Sequence, residues 1–235
     1  MAIWAKILDY VVETADALAS VIEAVRTRLS GDPETRRNVA FSIAMIALSA
    51  KMAKADGIVT EDEIAAFREI FEIPEDEAKN VARLYNLAKR DVAGYRTYAE
   101  KLAELCAPGE RDGILLQDII DGLFHIAKAD GVVHERELAF LADVAQIFGI
   151  DEDGFERIAA RHLAKGRSDP YRVLGIERTV DFDTVKRRYR RLVSENHPDK
   201  LMARGVPPEF LAIANDRVAA LNAAYEAIER ERRAA

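Results

Sequence analysis

A short stretch of sequence occurs twice in this chain, and the repeat constrains the fold more than any other feature. Residues 53–59, AKADGIV, recur as residues 127–133, AKADGVV. Each copy follows an apolar helical segment and precedes an acidic helix start. Gly57 and Gly131 suit the left-handed residue just past a helix end. The repeat therefore predicts two pseudo-equivalent helix–turn–helix units between residues 33 and 165.

Helical periodicity extends over the rest of the chain, and no sustained alternation of β-branched residues predicts a strand. Helices are expected to begin at Pro33, to run from Tyr95 to Cys106, and to cover an apolar stretch that ends at Asp130. Hydrophobic residues make up 49% of the 235 residues, which is enough for buried cores. The lone Cys106 excludes an internal disulfide and a zinc-finger spacing. The predicted fold class is all-α.

The two repeated turns make specific local predictions. Ile58 and Val132 are expected to contact the helix that each turn ends. Thr60 and Glu63 form a capping box for the next helix, whereas the second copy has a poorer cap, His134. An EF-hand-type calcium site is excluded, because apolar or basic residues occupy its first and third ligand positions.

Four acidic residues near the two turns leave a looser metal site open as an alternative. They are Asp56, Glu63, Asp130 and Glu137. They would converge on one divalent ion if the two units packed by pseudo-symmetry. The other interpretation is that they cap helices, which such residues do more often.

Residues 4–29 carry an apolar stripe with heptad spacing, within an N-terminal segment placed at residues 1–31. The stripe consists of Trp4, Leu8, Val11, Ala15, Leu18, Ile22, Val25 and Leu29. Such a helix packs on its own domain, pairs with a second copy to form a homodimer, or makes a peripheral contact with a membrane surface. These three alternatives stay open. A membrane-spanning helix is not expected, because the segment has no stretch of about 18 uncharged residues.

Charge and side-chain chemistry argue against two classes of function. The chain has a net charge of −7, but residues 167–235 hold 14 Lys and Arg against 11 Asp and Glu. An acidic body with a mildly basic tail disfavours nucleic-acid binding and predicts that the tail meets an acidic partner. Catalysis is not expected either, because no nucleophile stands out and the histidines are scattered. They are His125, His134, His162 and His197.

The basic tail is predicted to contain three helices. Ser168 or Asp169 is expected to cap a short helix that Gly175 ends, and a second helix runs from about Asp181 to Glu195. Basic residues cover the faces of this second helix that lie away from its apolar side. They are Lys186, Arg187, Arg190 and Arg191. Pro207 and Pro208 are expected to open the third helix.

A polar tripeptide, His-Pro-Asp at residues 197–199, follows the basic helix and is itself followed by Lys200. It is expected to lie in a loop, with Pro198 ending the preceding helix. An extended loop is predicted over residues 201–208.

Residues 169–230 resemble a J domain, the module by which DnaJ-type co-chaperones stimulate the ATPase of DnaK-type chaperones. The resemblance rests on the His-Pro-Asp tripeptide between the basic helix and a helix that contains NAAYE. Residues 40–165 resemble the all-helical TerB-like domain through the two AKADG turns. DjlA-type co-chaperones have the same order of parts. The domains are therefore expected at residues 1–31, a heptad-like helix, 32–166, a TerB-like bundle, and 167–235, a J domain.

The resemblance implies a co-chaperone that is not an enzyme and needs no cofactor. The arginines of the basic helix would meet an acidic surface of the DnaK nucleotide-binding domain. His197 would reach the junction between the ATPase and substrate domains, Asp199 would pair with a partner arginine, and Pro198 would fix the loop. The implied location is cytoplasmic, or peripheral at the inner membrane. DjlA-type proteins normally begin with a transmembrane helix, and the charged N-terminus of this chain departs from that pattern. The alternative is a stress-linked binding or divalent-metal-sensing module with a non-essential J domain.

Overall fold

A computed structural model describes residues 33–56, 85, 94–106, 114–129, 131–162, 169–203 and 211–234. Within these residues every regular element is a helix, which confirms the all-α prediction. The helices are α1 (Pro33–Asp56), α2 (Tyr95–Cys106), α3 (Ile114–Ala127), α4 (Glu135–Ile147), α5 (Glu152–His162), α6 (Pro170–Leu174), α7 (Phe182–Glu195), α8 (Pro198–Ala203) and α9 (Leu211–Ala234). The search of these described residues for a helix long and apolar enough to cross a membrane found none.

Several predictions concern residues outside the described ranges. The heptad stripe at residues 4–29 is among them, so the homodimer and membrane-surface alternatives stay predictions. The first repeated turn, with Gly57, Ile58, Thr60 and Glu63, also lies outside the described residues.

Helix α1 lies at the centre of the larger hydrophobic core. Every side chain from Phe41 to Met52 is buried, as expected for a helix that is apolar on all sides. Helices α2, α3 and α4 pack around it. The buried Lys51 places its ammonium 4.9 Å from the ring centre of Tyr98, which compensates part of its desolvation.

The second repeated turn shows the predicted glycine geometry and one departure from prediction. Gly131 has a φ of +93°, in the left-handed region that glycine adopts without strain. Helix α3 ends at Ala127, slightly earlier than expected. Val132 is 57% exposed, and the residue that packs against the core is Val133. The expected apolar contact is therefore made one residue later.

The first two helices of the tail begin and end close to the predicted residues, and Asp169 is the cap of the first. The Asp169 side chain accepts a hydrogen bond from the Tyr171 N–H (3.1 Å) at the start of α6. Gly175 ends that helix with a φ of +62°. The Asp181 side chain accepts from the Thr184 N–H (2.6 Å) at the start of α7. Each of these contacts lies within three residues of the chain, which is why the sequence predicts them well.

Helices α7 and α9 form an antiparallel hairpin. The ring of Phe182, at the start of α7, stacks on Tyr225 with centroids 6.0 Å apart. Just past the other end of α7, Asn196 accepts a hydrogen bond from Arg217. Partner numbers fall along α9 as residue numbers rise along α7, so the two helices run in opposite directions. Helix α6 packs on α9 and completes a second, smaller core.

Helices α1 to α5 are here called the bundle. The hairpin and the bundle are joined through the larger core. Leu201 of α8 and Ile213 and Ala214 of α9 are buried there, among side chains of the bundle. Gly122 of α3 allows this close approach, because a Cβ at that position would lie 2.9 Å from the Ile213 Cδ1 and 2.8 Å from the Met45 Cε. The N-terminal end of α9 is therefore packed against α3 with little free space.

Candidate functional site

The four predicted basic residues of α7 share one exposed surface, here called the basic face. It consists of Lys186, Arg187, Arg190 and Arg191, all of them exposed. The opposite side of α7 is buried at Val185, which belongs to the smaller core. Arg188 points elsewhere, since its Nε donates to the Leu174 carbonyl oxygen (2.9 Å). Four cations of α7 therefore face the solvent, whereas Arg188 makes a contact within the protein.

The His-Pro-Asp tripeptide departs from the predicted loop. Helix α7 does end before it, at Glu195, with Asn196 as its C-cap. Pro198, however, is the first residue of α8, which runs to Ala203 and replaces part of the expected loop over residues 201–208. A proline suits the first helical position because its φ is already helical and its missing N–H would lack an intrahelical partner there. Residues 204–210 lie outside the described ranges.

Residues 197–200, here called the tip, comprise His197 and the first turn of α8, and three of the four residues are exposed. The side chains of His197 and Asp199 are 59% and 80% exposed. The His197 Nδ1 accepts a hydrogen bond from the Asp199 N–H (3.3 Å), and the Lys200 N–H donates to the His197 carbonyl oxygen (2.9 Å). The Lys200 ammonium donates to the Ser194 hydroxyl (3.1 Å). The His197 Nδ1 also lies 3.6 Å from the Asp199 Oδ2.

An open cleft of about 510 Å³ connects the basic face to the tip. Its lining residues are Tyr189, Arg190, Val193, Ser194, His197, Asp199 and Lys200. The cleft therefore presents cations, an imidazole, a carboxylate and an apolar patch on one surface. Such a surface suits a protein partner with an acidic patch and an accessible arginine.

A buried ionic network lies directly behind the tip. The Arg217 guanidinium of α9 donates to the Asp118 Oδ1 (2.6 Å) and the Asp121 Oδ2 (2.8 Å), both on α3. It also donates to the Asn196 Oδ1 (2.8 Å). The side chains of the three charged residues are at most 4% exposed. This group, here called the Arg217 network, connects the bundle to the residue that precedes the tip.

The Arg217 network was not predicted from the sequence, although two signals for it exist. Asp118 and Asp121 are three residues apart in a helix that is otherwise almost entirely apolar. Arg217 lies four residues from Ile213 and four from Leu221, on the apolar side of α9. A charged residue on an apolar stripe indicates a buried ionic partner.

Electrostatics hold the network in its ionised form. Burial alone would raise the pKa of Asp121, but the positive charges of Arg161 and Arg217 and the contact with His162 keep it well below its usual range. Burial would lower the pKa of Arg217, and the two carboxylates raise it instead. Burial lowers the pKa of His162, so the ring is neutral at pH 7 and its Nε2 lies 3.0 Å from the Asp121 Oδ1.

A second charged contact joins the same helices closer to the solvent. The Lys128 ammonium donates to the Asp216 Oδ2 (2.8 Å), and the His125 Nδ1 lies 2.9 Å from the same oxygen. Two of the histidines that look scattered in the sequence therefore lie at one interface, since His125 and His162 are both on the bundle side of it. Each of them contacts an aspartate, and the His162 ring also stacks on Phe124 with centroids 5.2 Å apart.

The four acids of the looser metal site are only partly described. Glu63 and Asp130 lie outside the described residues, and so does the side chain of Asp56. Glu137 is buried, and its Oε2 accepts a hydrogen bond from the His134 N–H (2.8 Å) at the start of α4. This contact fits the capping interpretation for Glu137. Convergence of the four acids stays a prediction.

Two protein families match separate parts of the chain. Residues 42–160 match the family of the tellurite resistance protein TerB, and residues 169–235 match the DnaJ domain. The co-chaperone protein DjlA of Photobacterium profundum is 31% identical over 222 residues, covering 83% of this chain and 79% of the relative. The chain belongs to the DjlA family of co-chaperones.

Other DjlA proteins match at similar levels. That of Shewanella oneidensis is 30% identical over 228 residues, with 88% of this chain and 83% of the relative covered. That of Coxiella burnetii is 29% identical over 201 residues, with 77% and 73% covered. No solved structure matches. The DjlA family assignment confirms the resemblance proposed from the two AKADG turns and the His-Pro-Asp tripeptide, and it makes this chain a DnaJ-like co-chaperone.

The DjlA domain order places the functional features on separate parts of the chain. The basic face and the tip lie within the DnaJ match, whereas Asp118 and Asp121 lie within the TerB match. The Arg217 network therefore crosses from one matched domain to the other.

Proposed function

We propose that this DjlA-family chain recruits a DnaK-type chaperone and stimulates its ATPase, while the TerB-like bundle directs where it acts. The proposal is supported above all by one observation. The basic face and the tip are exposed and joined by one cleft, whereas the opposite side of α7 is packed on α9. In this function the chain regulates the catalysis of a partner and performs no reaction itself.

The two parts of the surface have different tasks. The four cations of the basic face attract an acidic surface over several ångströms and orient the encounter, an effect that salt screens. The tip acts at close range. Its exposed Asp199 carboxylate suits a bidentate contact with an arginine of the partner, and Pro198 limits the conformations of the turn.

Single-turnover hydrolysis of ATP by a DnaK-type chaperone tests the role of the tip. The full chain is expected to accelerate hydrolysis, and His197→Gln is expected to remove the acceleration. His134→Gln is the matched control, since His134 is also exposed but lies at the start of α4. Equal stimulation by the wild-type chain and His197→Gln would refute the proposed function.

The basic face is tested by the concentration dependence of the same assay. Lys186→Ala combined with Arg190→Ala is expected to raise the half-saturating concentration about three- to tenfold at low salt, with a smaller difference at high salt. Arg233→Ala is the control, because Arg233 is an exposed cation (76%) near the C-terminal end of α9, which lies away from the tip. An unchanged half-saturating concentration in the double variant would contradict the role of the basic face.

Other features of the proposed function await their own measurements. Light scattering of the full chain against a chain that begins at Asp32 tests the homodimer through residues 4–29, and flotation with anionic vesicles tests the peripheral membrane contact.

The metal-sensing alternative predicts saturable heat on titration with a divalent ion, lost in Asp56→Ala and Asp130→Ala. Heat that persists in both variants would exclude the predicted four-acid site.

A further inference from the structure

Asn196 connects the end of α7 to the tip. Its backbone N–H and its side-chain Nδ2 both donate to the Leu192 carbonyl oxygen, at 3.0 Å and 2.7 Å. Its Oδ1 accepts from Arg217 (2.8 Å), and the residue is 8% exposed. The next residue in the chain is His197. The orientation of Asn196 therefore determines the direction in which the tip leaves α7.

Arg217 of α9 connects Asn196 to the bundle. The Nη1 of Arg217 donates both to Asn196 and to Asp118, while the Nε donates to Asp121. Because a guanidinium is planar and its donors are fixed in direction, the two aspartates of α3 orient the group that binds Asn196. A movement of α3 relative to α9 would change the position of Arg217 and with it that of Asn196.

The other side of the tip is held by the bundle as well. Leu201, the residue after Lys200, is 3% exposed and lies in the larger core. The tip thus extends between two buried residues, Asn196 before it and Leu201 after it. Its own side chains at His197 and Asp199 stay exposed, so docking of the hairpin on the bundle restrains the tip without covering it.

We propose that Arg217 and Asn196 are positioning residues, through which the TerB-like bundle sets the conformation of the tip and thereby its efficiency on the chaperone. The bundle then contributes to the stimulation of ATP hydrolysis, in addition to directing where the chain acts. This inference rests on the proposed function for its effect on ATP hydrolysis. The mechanical link between the bundle and the tip can be measured without a partner.

Asn196→Leu removes the link with little change in side-chain volume. In single-turnover ATPase assays with the full chain, we expect about a five- to tenfold loss of maximal stimulation. The half-saturating concentration should change less than about twofold, because the basic face is untouched. Asn196→Asp keeps an acceptor for Arg217 and should restore most of the stimulation. If Asn196→Leu raised the half-saturating concentration and left maximal stimulation unchanged, the inference would be overturned.

A matched control separates positioning from general damage to the hairpin. Asn222 of α9 accepts a hydrogen bond from the Tyr189 hydroxyl (2.9 Å), but the contact lies inside the hairpin and away from the bundle. Asn222→Leu should therefore leave maximal stimulation within about twofold of wild type. Asp118→Asn weakens the link from α3, in another domain, and should lower maximal stimulation in the same direction as Asn196→Leu. Full stimulation by both Asn196→Leu and Asp118→Asn would overturn the inference.

Hydrogen exchange of the free chain distinguishes failure of this inference from failure of the proposed function. The amides of Lys200 and Leu201 donate to the His197 carbonyl oxygen. Their exchange is expected to accelerate about tenfold in Asn196→Leu and to stay unchanged in Asn222→Leu. Unchanged exchange in Asn196→Leu would overturn the inference even if ATP hydrolysis were stimulated. Accelerated exchange in a chain whose wild type stimulates no hydrolysis would support the link and refute the proposed function.

Discussion

Replacing Arg217 by methionine is expected to destabilise the chain by about 3 kcal/mol. Removing one partner of a buried ion pair costs roughly 3–5 kcal/mol, because it leaves a charge in a poorly solvated site. In the variant, Asp121 keeps Arg161 (2.7 Å) and His162 (3.0 Å) as partners, whereas Asp118 loses its ion pair with Arg217. The expected cost therefore lies at the lower end of that range. In a chain of 235 residues this corresponds to a fall in Tm of roughly 6–12 °C.

Urea unfolding followed by circular dichroism at pH 7.5 measures this free energy. Arg233→Met is the matched control, since it makes the same substitution on the same helix at an exposed residue whose i,i+4 pair with Glu229 spans 3.2 Å. Exposed pairs of this kind contribute at most about 1 kcal/mol, so the control should unfold close to wild type. Similar losses for Arg217→Met and Arg233→Met would show that burial of the network adds no stability.

A double-mutant cycle between Arg217→Met and Asp118→Asn isolates the contact across the interface. We expect a coupling energy of about 1–3 kcal/mol, because the atoms are 2.6 Å apart and both side chains are buried. A coupling below about 0.5 kcal/mol would refute the argument that these charges hold the hairpin to the bundle.

Two further predictions concern stability. Because burial lowers the pKa of His162 below its ordinary 6.5, the unfolded chain binds this proton first and the free energy of unfolding should fall as the pH drops below about 6.5. Between pH 7 and pH 5, the Tm of His162→Phe should fall less with decreasing pH than the Tm of the wild type. An equal fall in both proteins would contradict the role of His162. Gly175→Ala should cost about 1 kcal/mol or more, since φ is +62° and the new Cβ would lie 2.6 Å from the Arg157 Cδ. Gly94→Ala, whose Cβ meets nothing within 4 Å, should melt like wild type.

Features that depend on neighbouring residues could be predicted from the sequence. The bounds of α2, Tyr95–Cys106, agree with the prediction, and so does the end of α7 at Glu195. The position of Pro198 was predicted wrongly for a local reason as well. A proline disfavours a helical conformation in the residue before it, but it also favours a helix that begins with the proline itself, and the second preference prevails at Pro198.

Features that depend on distant residues could not be predicted with the same rules. Asp118 and Arg217 are 99 residues apart, and no local pattern says which carboxylates a buried arginine of α9 will meet. The residues of the basic face and the tip could be proposed as a candidate site from the sequence, because they lie in the segment that resembles a J domain. The buried residues that hold the tip became visible only once α3 and α9 were placed in contact.

The chemistry of the interface indicates what the network contributes to function. Apolar contacts such as those of Leu201 and Ile213 supply attraction but little direction, since the hydrophobic effect is proportional to buried area. A buried ionic group gains little over an apolar one of the same size, but its hydrogen bonds are satisfied in few geometries. Arg217 meets three acceptors at once only when α9 has one rotation and one height relative to α3. That rotation also fixes the direction of the basic face, because α7 packs on α9. The network is therefore best understood as the part of the interface that gives the basic face and the tip a defined orientation on the bundle.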